Sequence, residues 1–160
     1  MKRKTLVNIH VAATIIAILT ISSFFMASLI AELSGSVTLI KTVKETILLA
    51  LPLMVIAMPT VALSGNRLAG KSQHPIVVAK QKRMRFIAIN GVCLIGLACF
   101  LYYRSHYQTI DGIFLTAQIA EFALGLTNLV LIGLNTRSGF QLSGRLKRMK
   151  PLGVRSQASI

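Results

Sequence analysis

Residues 113–135 read IFLTAQIAEFALGLTNLVLIGLN, an almost wholly apolar run with one ionisable group, Glu121. A helix crossing a hydrocarbon core about 30 Å thick needs about 20 such residues, so the run is long enough to span a bilayer. Within it Gln118, Glu121, Gly125, Asn128 and Asn135 recur at steps of three, four and seven. At helical periodicity they share one face. That face must point into protein, because hydrocarbon offers an amide or a carboxylate no partner. Glu121 lies roughly 12 Å in from the start of the run at 1.5 Å per residue. An ionised carboxylate at that depth costs several kcal/mol unless it is paired.

Three more runs have the same character, at about 8–31, 38–64 and 86–103. The chain is 54% hydrophobic with a mean hydropathy of +0.69 over 160 residues, more apolar surface than one soluble core absorbs. Strand-like alternation is absent from the runs, which argues against a transmembrane β-barrel. The reading is an all-α, integral membrane, up-down-up-down four-helix bundle. Residues 1–145 form its single transmembrane domain and 146–160 a basic cytoplasmic tail. The basic start before the first run resembles a signal peptide, but the run is longer than an h-region and leads directly into a second span.

All but Lys41, Lys44 and Arg104 of the 18 Lys and Arg residues fall at the N-terminus, between the second and third runs, or after the fourth. Basic residues concentrate on the cytoplasmic side, so both termini and the middle loop, taken as Gly65 to Arg85, are assigned there. The chain is expected in a bacterial inner (plasma) membrane. Its net charge of +14 is accounted for by topology and by attraction to anionic lipid headgroups, with Lys80, Lys82, Arg83 and Arg85 as contacts, and nucleic acid is not an expected partner. The expected partners are the bilayer itself and either another membrane protein or a second copy of the chain.

Ser34, Gly35 and Ser36 break the first helix, and Ser36 can cap the second. Pro52 and Pro59 each remove a backbone donor from helix two, which predicts a kink. SGNRLAG at 64–70 reads as a helix end and turn, without the lysine–serine pair of a phosphate loop. Ala13, Ala17, Thr20, Ala27 and Ala31 put small side chains along helix one, permitting close helix approach. Cys93 and Cys99 are six apart, off a common helical face, and suggest neither a disulfide nor a metal clamp.

Candidate chemistry is sparse. Glu121 has Lys44 as a candidate charge partner, with Thr20, Ser22 and Ser23 of helix one at a similar depth. His10, near the cytoplasmic edge of helix one, is a candidate axial ligand for haem b, since small membrane four-helix bundles hold haem. No other helix offers a histidine at that depth, and Met58 or Met84 would have to be the second ligand.

The chain resembles an uncharacterised family of small four-span inner-membrane proteins of proteobacteria, one with no assigned reaction. The resemblance rests on His10, Thr20 and Glu32; on Lys44 and Pro52; and on Lys80, Arg83, Met84, Ile87, Ala88, Asn90 and Gly91. Its most specific part is the helix-four set Phe114, Gln118, Glu121, Gly125, Asn128, Leu131, Gly133, Leu134, Asn135, Arg137, Gly139, Leu142, Gly144 and Arg145. It covers most of residues 8–145 and departs at Arg85 and Ser138, where the family often has proline and aspartate. The resemblance implies the topology and assigns no activity. Three functions remain open: a non-catalytic accessory, assembly or binding protein, a haem-binding electron-transfer protein using His10, and a small proton- or cation-coupled transporter using Glu121.

Overall fold

A computed structural model describes residues 2–144 of the chain, so the 146–160 tail, with Lys147, Arg148, Lys150 and Arg155, and also Arg145, lies outside the described residues. The described chain is four helices: α1 (Arg3–Ser34), α2 (Val37–Ala69), α3 (Pro75–Tyr107) and α4 (Gly112–Leu142). All four are long and apolar enough to cross a membrane.

Each boundary has a local cause. α1 stops at Gly35, whose left-handed φ of 63° lets its N–H turn back to the Glu32 carbonyl, a conformation that carries no steric cost in glycine. Ser36 then caps α2 by accepting from the Leu39 N–H at 3.3 Å. Pro75 occupies the first turn of α3, where its missing donor costs nothing, behind His74, whose Nδ1 accepts from the Ile76 N–H at 3.3 Å. Asp111 caps α4, its Oδ1 accepting from the Ile113 and Phe114 N–H groups, both at 3.1 Å.

The helices are longer than the apolar runs. They contain 32, 33, 33 and 31 residues, or about 46–50 Å at 1.5 Å per residue, against a hydrocarbon core of about 30 Å. The expected loop from Gly65 to Arg85 shrinks to residues 70–74, because α2 runs on to Ala69 and α3 begins at Pro75. Lys80, Lys82, Arg83 and Arg85 therefore stand on a helix. Hydropathy falls over 76–85, but Ala, Lys, Gln, Arg and Met are strong helix formers, so helix and apolar run do not end together. α2 continues through Pro52 and Pro59 as a single helix.

Each helix packs on the next in sequence, and α4 returns to α1 to close the ring, that last contact being the sparsest. Ala31, Ile40, Leu101 and Phe114 form one buried cluster, joining the last turns of α1 and α3 to the first turns of α2 and α4. Ile21, Ile87 and Ile132 form another, flanked by Met54, Met58 and Met84. Of the small residues on α1, Ala13, Ala17 and Ala31 are buried. Their size lets α1 lie close against its neighbours.

Where α1 meets α4, a Cβ built on Gly125 would sit 3.3 Å from Cδ2 of Phe25. The Phe25 ring is itself held edge-on to Phe122, centroids 5.5 Å apart. Gly125→Leu is expected to push this contact apart and cost about 1–3 kcal/mol, the usual range for overpacking. Gly133→Leu, with nothing near its Cβ, should leave the melting temperature in detergent unchanged. Equal melting of the two variants would show that the α1–α4 contact does not depend on Gly125.

Candidate functional site

Gln118, Asn128, Asn135 and Ser138 of α4 are buried, and most of them meet a partner on another helix. Gln118 and Asn128 are each 1% exposed and Asn135 6%. Lys44 of α2 donates to Glu121 Oε2 at 2.7 Å and to Ser28 Oγ of α1 at 3.1 Å. The side chains of the pair are 2% and 13% exposed, so the charges face each other out of solvent. Gln118, one turn earlier on α4, donates through Nε2 to the same Oε2 at 2.7 Å. α2 and α4 thus meet on one carboxylate oxygen, and α1 joins them through the Lys44 ammonium.

Further along α4 the partners come from α3. Asn90 Nδ2 donates to Asn128 Oδ1 at 2.9 Å and to the Leu124 carbonyl at 2.8 Å. Asn135 Nδ2 makes a long contact of 3.5 Å to the Lys80 carbonyl. Arg83 donates to Ser138 Oγ at 3.0 Å. Glu121, Asn128, Asn135 and Ser138 therefore stitch α4 to its neighbours over most of its length. Two acceptors among the described residues stay unmet beside the pair, Gln118 Oε1 and Glu32 Oε1.

The pairing of Glu121 with Lys44 agrees with the reading of residues 113–135. Thr20, Ser22 and Ser23 are not the helix-one partners; Ser28 is, about two turns further on. Depth was counted from the ends of the apolar runs, whereas α1 continues to Ser34, and Ser28 is met by a long lysine side chain reaching across from α2. The basic set divides: Lys82 and Arg85 are exposed, Lys80 is half-buried against Gly139, and Arg83 is turned inward to Ser138. Asn90, a lone amide in an otherwise apolar stretch of 86–103, was the available signal for the α3 partner.

Between the helices lies a cavity of about 560 Å³ bounded by all four, within the range of small-molecule pockets, about 300–1,000 Å³. Its walls are apolar except for Ser28, Glu121 and Asn128. Phe24, Phe25 and Phe122 line the same space as Glu121. The exposed residues in its lining all belong to α2 and α3, among them Val55, Leu63 and Val92. The cavity therefore runs out to the apolar surface between those two helices.

His10 is at a different place. Its Nδ1 lies 2.9 Å from Ser64 Oγ, whose own proton goes to the Thr60 carbonyl at 2.5 Å, so Nδ1 is the donor and Nε2 the acceptor nitrogen. A Cβ on Gly65 would meet the ring at 3.2 Å. The cavity beside His10 also holds Met84 in its lining but measures about 100 Å³, below the pocket range and too small for a porphyrin. His74 is engaged at the α3 cap, and His106 packs on Tyr102 with ring centroids 4.3 Å apart. The residues around His10 do not fit haem, and the large cavity contains no histidine. Cys93 and Cys99 are free and exposed, and no group of three or more metal-ligating side chains occurs among the described residues.

Comparisons with protein-family models, curated proteins and solved structures find no match to this chain. The site therefore rests on its geometry.

At the joint before α4, Arg104 donates to Asp111 Oδ1 at 2.6 Å and also bonds Gln108. The Arg104 hydrogen bond, followed by that from the Phe114 N–H, holds the Asp111 carboxyl below its ordinary value. A carboxylate depressed in the folded state adds stability that is complete above its unfolded pKa, about 3.9, and is lost as pH falls through the lower folded value. Melting temperature is expected to show this loss only below about pH 4, and Asp111→Asn should flatten that part of the profile. An unchanged acid slope in the variant would remove Asp111 from the account.

Proposed function

We propose that the chain is a multi-pass inner-membrane protein with both termini cytoplasmic and its helices alternating up and down. Its role on this reading is non-catalytic, as an accessory, assembly or binding subunit. The topology is supported by the cluster joining last turns to first turns and by the one-sided distribution of Lys and Arg. On this orientation Lys82 and Arg85 stand exposed where anionic headgroups lie. The resemblance to small four-span inner-membrane proteins points the same way.

The observation that carries the role is that Glu121 is spent on Lys44 and Gln118. A carboxylate already holding a lysine and an amide is built as an interhelical clamp, and the seam below it continues as amide and hydroxyl contacts to α3. Clamps of this kind hold membrane helices together. What they leave between the helices is an apolar chamber, which suits binding better than turnover. That Glu121 also lines the chamber favours a second reading, a proton- or cation-coupled carrier.

Two measurements test this. Cysteines introduced at Ser36 and Ser72 should react with an impermeant maleimide from opposite sides of intact inverted and right-side-out vesicles; labelling of both from one side contradicts the topology. In proteoliposomes, Glu121→Gln is expected to lower the melting temperature by several degrees while leaving proton flux at the level of empty vesicles, as in the unaltered protein. Proton flux above that level in the unaltered protein, lost in the variant, would replace the clamp reading with the carrier.

A further inference from the structure

The chamber's lining differs from ordinary bundle packing. The space is apolar, yet a carboxylate, that of Glu121, borders it. Glu121 directs both of its described hydrogen bonds to Oε2; Oε1 accepts none from the described residues, and the residue borders the cavity. Phe24, Phe25 and Phe122 border the same space, with Phe25 and Phe122 locked edge to face and Phe25 backed by Gly125. Aromatic faces beside a carboxylate in a dry site are the chemistry that recognises an organic cation.

Lys44 is the cation of the buried cluster among the described residues, and it is held by Glu121 Oε2 and Ser28 Oγ. Glu32 Oε1 is buried without a partner. No lysine or arginine among the described residues lines the cavity. A cavity bordered by a carboxylate, Glu121, with the Lys44 ammonium turned away from its lining, is less favourable for an anion than for a monocation. Entry is through the wall where the exposed lining residues lie, between α2 and α3, a path available to a molecule already dissolved in the bilayer.

We propose that the chamber binds a lipophilic organic monocation entering from the membrane between α2 and α3, its charge seated between Glu121 Oε1 and the phenylalanine faces. This rests on the clamp reading, because Lys44 must stay bound to Oε2 for Oε1 to remain available. The ligand's apolar body fills the space bounded by Met54, Met58 and Gly91, and specificity is for charge and bulk rather than for a particular skeleton.

The test uses the full chain in nanodiscs and two probes of nearly equal size and shape but opposite charge, tetraphenylphosphonium and tetraphenylborate. Binding is read by equilibrium dialysis after subtracting empty discs. Tetraphenylphosphonium is expected to bind saturably, and tetraphenylborate at least about tenfold more weakly. Gly91→Leu, whose new side chain is directed at Met58, 3.8 Å from a Cβ at that position, should abolish binding. Phe24→Leu, which keeps bulk and removes the aromatic face, should weaken it about tenfold, as loss of a desolvated cation–π contact does.

Saturable binding of both probes alike, uptake no greater than in empty discs, or full affinity in both Gly91→Leu and Phe24→Leu would overturn the proposal. Should Gly91→Leu fail to fold, Phe24→Leu and the charge pair of probes decide alone. Absence of binding with the Lys44–Glu121 coupling intact sinks the ligand and spares the clamp; loss of that coupling sinks the clamp whatever the probes do.

Discussion

A lysine and a glutamate 2.7 Å apart inside the helix ring, 2% and 13% exposed, set the terms for the rest of this structure. Neither charge is tolerable alone in a low-dielectric interior, where the cost of an unpaired ion is several kcal/mol. Together they demand that α2 and α4, which are not neighbours in sequence, keep a fixed depth and rotation relative to each other. Ser28 and Gln118 complete the coordination from α1 and from the next turn of α4. With that register held, the amides and hydroxyls further along α4 meet α3 where they do. Gly125 can then be small because Phe25 fills the space beside it.

The centre of the bundle is not filled. α1 and α4 share the sparsest contact in the ring, and between the charge pair and the isoleucine–methionine cluster the side chains withdraw to leave about 560 Å³. Soluble cores close such spaces because the hydrophobic effect rewards collapse. In lipid that reward is absent, and polar contacts can hold helices around a chamber that packing alone would not preserve.

Much of this could be read in the sequence, and the failures have physical causes. The four spans, the inward face of helix four and the Lys44–Glu121 partnership follow from hydropathy, from helical period and from the cost of a lone buried charge. The helix ends did not follow, since hydropathy reports where lipid stops and Lys, Arg, Gln and Met carry a helix beyond that point; α3 begins at Pro75, eleven residues before the apolar run at 86. Ser28 was missed because depth was counted from apolar boundaries and a lysine side chain spans more than a turn. His10 looked like a ligand by residue type alone, and its bond to Ser64 and the small cavity beside it depend on which residues of α2 come opposite, which a single sequence does not state. The cavity was wholly illegible, being a property of four helices at once.

The central claim is that Lys44 and Glu121 stabilise the bundle as a pair. A double-mutant cycle with Lys44→Met, Glu121→Leu and the combined variant, read as unfolding free energy in detergent, tests it most directly. Each single change should cost about 3–5 kcal/mol by stranding the other charge, while the double variant, with an apolar pair of similar bulk, should recover most of that loss. Additive losses in the double variant would contradict the account, for they would mean that the two residues act independently.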